Sequence, residues 1–125
     1  MSQEFPYSLV RDFAVQAARS PDSVALRDGE FLLSCRDLDA ASSRLAAEFG
    51  HSRIPRGSTL GLRLDHGWLI VVGALGARKY GCGYLALNPR SPTAEQRALL
   101  ADRGIRHVLV CGENGLAVEH VRYRT

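Results

Sequence analysis

Residues 78–92 read Arg78-Lys79-Tyr80-Gly81-Cys82-Gly83-Tyr84-Leu85-Ala86-Leu87-Asn88-Pro89-Arg90-Ser91-Pro92. A basic pair followed by Gly81 is how a helix stops. Cations favour the negative end of the helix dipole, and glycine accepts the left-handed backbone of a C-terminal cap. Tyr84-Leu85-Ala86-Leu87 then forms a short apolar run suited to a strand. Ser91-Pro92 opens another helix, with proline in the first turn, where a missing N–H is no loss. Upstream, residues 66–80 carry Leu69, Ile70, Val71, Val72, Ala74, Leu75 and Ala77, apolar on nearly every side. Such a pattern predicts a buried helix, with Asp65 placed to cap it.

Working outward, Pro55-Arg56-Gly57 predicts a turn into an alternating strand over 59–64. Ser34-Cys35-Arg36-Asp37 sets a hydroxyl at an N-cap and a carboxylate three residues on, a capping box with Asp in place of Glu. The helix it opens carries Leu38, Ala41, Leu45 and Phe49 on one stripe, and Gly50 is expected to close it. Asp28-Gly29 predicts a two-residue hairpin turn between 24–27 and 30–33. Ser8 is expected to cap a first helix with Leu9, Phe13 and Ala17 on one face. On the C-terminal side, Gly104 ends the fourth helix, Ile105 to Cys111 is an apolar strand, and Glu113-Asn114-Gly115 turns the chain into a last short strand at Leu116-Ala117-Val118. Helix, hairpin, helix, then strand–helix–strand–helix–strand predicts an α/β layered sandwich with a mainly parallel sheet. Strands 59–64, 84–87 and 106–111 are expected to be parallel neighbours.

Composition narrows the function classes. At 125 residues the chain is expected to be one domain, 1–125, with a small core. Its net charge is +3, and of 16 basic residues only Lys79 is not arginine. These charges are scattered singly, whereas a nucleic-acid surface clusters them, so no nucleic-acid partner is expected. The start, Met-Ser-Gln-Glu-Phe-Pro, lacks the basic and apolar regions of a signal peptide. Trp68 to Leu75, the longest apolar stretch, is too short to cross a bilayer, so no membrane association is expected. Three widely spaced cysteines, Cys35, Cys82 and Cys111, suit free thiols in a reducing cytoplasm.

Taken in order and spacing, these strings resemble the N-terminal segment of adenylation domains, the AMP-forming enzymes that activate amino acids in nonribosomal peptide synthesis. That family opens with a helix and a Pro-Asp-x-x-Ala-Leu strand, here Pro21-Asp22-Ser23-Val24-Ala25-Leu26. Its first core motif, Leu-Thr/Ser-Tyr-x-Glu-Leu, corresponds to Leu33-Ser34-Cys35-Arg36-Asp37-Leu38. Its second, Leu-Lys-Ala-Gly-x-x-Tyr-x-Pro-Leu-Asp-Pro, corresponds to residues 78–89, where Lys79, Gly81, Tyr84, Leu87 and Pro89 match. Ala86 replaces a proline and Asn88 an aspartate. The resemblance covers about residues 8–111 and implies the N-terminal subdomain of the adenylate-forming fold. It gives Leu33, Ser34, Asp37, Leu38, Lys79, Gly81, Tyr84, Leu87, Asn88 and Pro89 structural roles.

The resemblance also implies what to look for and not find in these 125 residues. They hold no Ser/Thr/Gly-rich phosphate run ending near a lysine, whose backbone N–H groups would cradle phosphate. The acidic residues for Mg²⁺ and ribose, the amino-acid pocket and the catalytic lysine of the family have no counterpart either. The expectation is therefore a truncated adenylation-like protein with no catalytic residue, metal or cofactor of its own. It would serve as structural partner of a peptide synthetase or adenylation enzyme, or pair with itself. Trp68, Leu69, Val72, Val108 and Val110 are its expected interface residues. Two other readings stand beside it: a piece of a conventional ATP-dependent amino-acid-activating enzyme, and a small binding protein that reuses the fold.

Other candidate chemistry is weaker. Cys82 between Gly81 and Gly83 reads as a small buried thiol, because a nucleophile needs a neighbouring base. Cys35 and Cys111 read the same way. His51, His66, His107 and His120 share no metal-ligand spacing in the sequence. Gly81-x-Gly83 follows a helix, the reverse of a dinucleotide fingerprint.

Overall fold

The computed structural model describes residues 7–113 and 115–121, the side chains of 7–12 excepted. Its elements are α1 (Tyr7–Arg19), β1 (Val24–Asp28), β2 (Phe31–Ser34), α2 (Cys35–His51), β3 (Thr59–Arg63), α3 (Gly67–Tyr80), β4 (Gly83–Ala86), α4 (Thr93–Asp102), β5 (His107–Gly112) and β6 (Gly115–His120). β1 and β2 form an antiparallel hairpin, and the other four strands form a mixed sheet in the order β4-β3-β5-β6. β3 pairs in parallel with both β4 and β5, as expected, and β6 returns antiparallel to β5.

Alternation along the strands divides the interior between two faces of that sheet. Leu60, Leu62 and Leu64 join Leu109 in a cluster with Leu38, Leu45 and Phe49 of α2 and Val72, Ala74, Leu75 and Ala77 of α3. Val108 and Val110 belong to a second cluster with Leu87, Leu100 and Ile105 on the α4 side. Gly61 sits between the β5 and α4 side chains, where a Cβ would meet Val108 at 3.2 Å and Leu100 at 3.3 Å. Helices thus cover both faces, and that is why β5 is apolar without alternation.

The apolar α3 is buried as predicted: from Val72 to Ala77 every residue is enclosed, between α2 on one side and the sheet on the other. Its C-terminus closes as the glycine demanded. Gly81 takes φ 103°, and the N–H groups of Gly81 and Cys82 reach the carbonyls of Arg78 and Ala77 at 3.1 and 2.8 Å. Ser34 caps α2 with its hydroxyl accepting from the Asp37 N–H at 3.1 Å.

Four local expectations change. α2 continues through Gly50 to His51. The left-handed residue is Arg53, at φ 58°, with Arg53 N–H donating to Gly50 O and Ile54 N–H to Phe49 O. The hydrogen bonds of the Schellman end, and the packing of Ile54 with Phe49 in the core, hold an arginine where glycine is usual. Asp65 does not cap α3: His66 occupies that position, and no side chain caps the helix. The hairpin turn is centred one residue later, on Gly29-Glu30, because Asp28 pairs with Phe31. α1 begins by Tyr7, so Ser8 is inside it; the side chains of Ser8 and Leu9 and the turn residue Asn114 lie outside the described residues. Among the described residues no helix is long and apolar enough to cross a membrane.

Candidate functional site

The segment 78–89 is a joint in which nearly every polar group has a structural partner. Lys79 reaches across to α2, its ammonium donating to the Asp39 carboxylate at 2.7 Å, the Asp39 carbonyl at 3.1 Å and the Ser43 hydroxyl at 3.0 Å. Its side chain is only 13% exposed, so it is a tie between helices and not a surface charge. The Tyr80 hydroxyl donates to the Ile54 carbonyl. Arg56 closes over the same ring, its guanidinium 4.4 Å from the Tyr80 centroid and its Nε donating to the Tyr80 carbonyl at 3.0 Å. Further on, Leu87 N–H donates to Leu62 O at 2.8 Å and the Leu87 side chain is buried on the α4 side. Asn88 Oδ1 accepts from Arg90 N–H at 2.9 Å, which sets the turn. The carboxamide of the buried Gln96 donates to the carbonyls of Asn88 and Ser91 at 3.1 and 2.9 Å, and so locks the turn to α4. Tyr84 and Leu33 are half-buried against the first core cluster, and Leu38 lies within it.

In an open α/β sheet, ligands bind beyond the carboxyl ends of the strands, where the chain switches direction. Here that point is the end of β3, since the chain crosses to β4 on one side and to β5 on the other. A crevice of about 210 Å³ lies there, lined by Arg63, Asp65, Pro89, Val110, Cys111 and Glu119. Small-molecule pockets generally run from about 300 to 1,000 Å³, so this one is undersized for a nucleotide. Arg63 and Glu119 form an ion pair at 2.8 Å that walls it off from a second crevice of about 390 Å³ between α4 and β6. That pairing neutralises the one arginine lining the smaller crevice. Among the described residues no group of three or more His, Cys, Asp or Glu is placed to hold a metal ion. Cys82 is buried, its thiol 3.5 Å from the Pro55 carbonyl and 3.7 Å from the Ser58 hydroxyl.

The expected interface needs correction. Val72, Val108 and Val110 are 2%, 1% and 7% exposed, so they are core residues of this chain and offer no surface. α2 covers the first, and α4 with its cluster covers the others. Trp68 and Leu69 are half-buried. Among the described residues, three exposed large apolar side chains are on the hairpin, Val24, Phe31 and Leu32 at 53%, 41% and 48%, and two are on helices, Val15 of α1 at 46% and Leu99 of α4 at 37%. Phe31 stacks on Trp68 with ring centroids 4.5 Å apart, which joins the hairpin to the first turn of α3.

One pairing was not anticipated. His107 and His120 are direct cross-strand partners with ring centroids 4.6 Å apart. Burial lowers the pKa of His107 below the usual imidazole value, and the neighbouring His120 and Arg106 add to the effect. The signal lay in the turn. With Gly112 opposite Gly115, counting outward along the register brings His107 opposite His120.

The profile of AMP-binding enzymes matches residues 13–124. Tyrocidine synthase 3 of Brevibacillus parabrevis is 32% identical over 99 residues, covering 78% of this chain and 2% of the synthase. Surfactin synthase subunit 2 of Bacillus subtilis is 34% identical over 98 residues, covering 78% of this chain and 3% of that subunit. Among solved structures, the NpsA N-terminal subdomain of Klebsiella oxytoca superposes with a TM-score of 0.76 at 21% identity, covering 86% of this chain and 28% of that one. The o-succinylbenzoate CoA synthetase of Bacillus subtilis, in complex with its acyl-adenylate intermediate, gives 0.73 at 23% identity, covering 80% of this chain and 26% of that one. The chain therefore spans only a small part of each relative, and the two structural matches speak for the fold.

Proposed function

The chain belongs to the AMP-binding enzyme family, and on that premise we propose that it is a non-catalytic structural complement to an amino-acid-activating enzyme of nonribosomal-peptide-type biosynthesis. The observation that carries this reading is the bonding of the second core motif. Lys79, Tyr80, Asn88 and Gln96 are all engaged in holding α2, α3, β4 and α4 together. Asn88 and Gln96 also line crevices beside α4, but Asn88 Oδ1 and the Gln96 carboxamide are already bonded within the joint. The pairing of Arg63 with Glu119 supports it too, since adenylation depends on charge stabilisation around a bound nucleotide and this is the one arginine lining the crevice at the end of β3. In this role the chain supplies a folded layer, and a partner adenylation enzyme supplies the phosphate-binding and amino-acid-binding groups. The hairpin face carrying Val24 and Leu32, opposite the Phe31 ring that stacks on Trp68, is the surface through which the two would meet. The three unpaired thiols suit a cytoplasmic setting.

The test is amino-acid-dependent pyrophosphate exchange. The purified chain alone is expected to stay at the level of a heat-killed control. Adding the remaining portion of an adenylation domain as a separate polypeptide is expected to restore exchange. Exchange by the chain alone overturns the proposal.

The second reading, a segment of a conventional adenylating enzyme, rests on the small share of each relative that is covered. It predicts that the segment restores exchange only when covalently joined to the remainder.

A further inference from the structure

We propose that His107 and His120 form a two-histidine chelate for a late first-row divalent metal ion, which clips β6 to β5. The two residues face each other across an antiparallel ladder that runs in unbroken register from Gly112↔Gly115 to His107↔His120. Cross-strand partners hold their Cβ atoms about 5 Å apart, so the spacing of the rings is fixed by the backbone and not by chance side-chain packing.

The separation of the rings matches shared coordination. A metal–nitrogen bond of about 2.0–2.1 Å, plus roughly 1.1 Å from nitrogen to ring centre, puts each centroid about 3.2 Å from the ion. Two rings on adjacent positions of a right-angled coordination sphere then have centroids about 4.5 Å apart, and on a tetrahedral one about 5.2 Å. The observed 4.6 Å is the right-angled value. The rings are inclined at 67°, edge towards face, and His120 is exposed, so it can turn about χ2 to aim a nitrogen at a common point. No hydrogen bond occupies either imidazole among the described residues.

A metal binds only the neutral imidazole, so affinity is expected to fall as pH drops. Arg106, the residue before His107, opposes any cation here. Its repulsion selects metals whose imidazole bonds are strong, so Ni²⁺ and Cu²⁺ are favoured over Mg²⁺ or Ca²⁺. Two ligands leave the remaining positions to water, because no third His, Cys, Asp or Glu completes a cluster among the described residues.

The test is titration of the intact chain with Ni²⁺ followed through the histidine ring resonances by NMR. One equivalent is expected to broaden the signals of His107 and His120 before those of His51 and His66. His107→Gln and His120→Gln should each weaken binding at least tenfold, while Cys111→Ser leaves it unchanged. Thermal unfolding in EDTA checks that the variants fold; if His107→Gln does not, the exposed His120→Gln carries the test. Equal Ni²⁺ affinity of wild type and a folded His120→Gln, or first broadening at His51 or His66, overturns the proposal.

Discussion

Replacing Gly76 by alanine tests whether close approach of α2 and α3 organises the fold. On an exposed helix the change stabilises by about 1 kcal/mol, because glycine has the greater backbone entropy to lose. Here the added Cβ would lie 3.0 Å from the Leu45 Cβ and 3.1 Å from the Ser42 carbonyl oxygen. Neither neighbour is the end of a flexible side chain, so the helices themselves must move apart. Overpacking of this kind costs about 1–3 kcal/mol. The same contact is tied by Lys79 of α3, which donates to the Asp39 carboxylate and the Ser43 hydroxyl of α2, so relaxation is resisted. The net expectation is a loss of about 1–2 kcal/mol, or roughly 4–8 °C in Tm for a domain of this size. Gly73→Ala is the internal control. Its Cβ would meet Leu109 and Leu62 at 3.2 Å, but those atoms are terminal methyls that can rotate away. It should stay within about 0.5 kcal/mol of wild type, since the gain in helix propensity offsets mild crowding. Urea unfolding with a common m-value measures both. A Gly76→Ala protein as stable as wild type would refute the reasoning.

Arg53→Gly should raise stability by about 0.5–1 kcal/mol, because it removes the cost of a side chain at φ 58°; a lower midpoint in urea would mean that the arginine itself makes the turn. Lys79→Ala should destabilise by about 1–2 kcal/mol, through loss of the three hydrogen bonds to α2. A double-mutant cycle with Asp39→Asn should give a coupling of only about 0.5–1 kcal/mol, because the Asp39 side chain is 41% exposed. Stability should fall as pH drops from about 6.5, because the unfolded chain takes up the His107 proton before the folded chain does. His107→Gln should flatten that slope, as followed by thermal unfolding between pH 7.5 and pH 5 on a scale set by about 1.4 kcal/mol per pKa unit.

What was legible in the sequence was whatever depends on neighbours along the chain. Gly81 ended α3 because a left-handed residue was required there and glycine supplies it at least cost. The Ser34 cap and the buried α3 followed from hydroxyl placement and apolar periodicity. The parallel sheet followed from alternation of strand and helix. Misreadings came where tertiary structure overrode a local preference. Gly50 looked like a stop, yet Phe49 and Ile54 pull the helix past it and force Arg53 into the left-handed region. Asp65 looked like a cap, yet the helix starts one residue too late for it. The apolar residues of β5 were legible as apolar but not as covered, because coverage on both faces depends on α4 and α3 lying on opposite sides of the sheet. The His107–His120 pair was invisible for the same reason: strand register, and not spacing in sequence, makes the two residues neighbours.

Four of the departures from the family's motifs, at Cys35, Asp37, Ala86 and Asn88, can be weighed against that geometry. Cys35, where the family has tyrosine, is 5% exposed in the first turn of α2, so the smaller side chain is enclosed and not left at the surface. Asp37 replaces glutamate at a position whose contribution to the Ser34 cap is its backbone N–H, and any side chain leaves that donor in place. A carboxylate there still favours the positive end of the helix. Ala86 replaces proline on β4, an edge strand bonded to β3 alone, where proline and alanine are both admissible. Asn88 replaces aspartate, and its Oδ1 accepts from Arg90 N–H as a carboxylate oxygen would. Each replacement keeps the backbone bonds that define the joint and alters only size or charge around it. The family's frame is therefore maintained by bonds that these four substitutions keep, and the loss of charge at Asn88 falls in the turn that leads to Pro89.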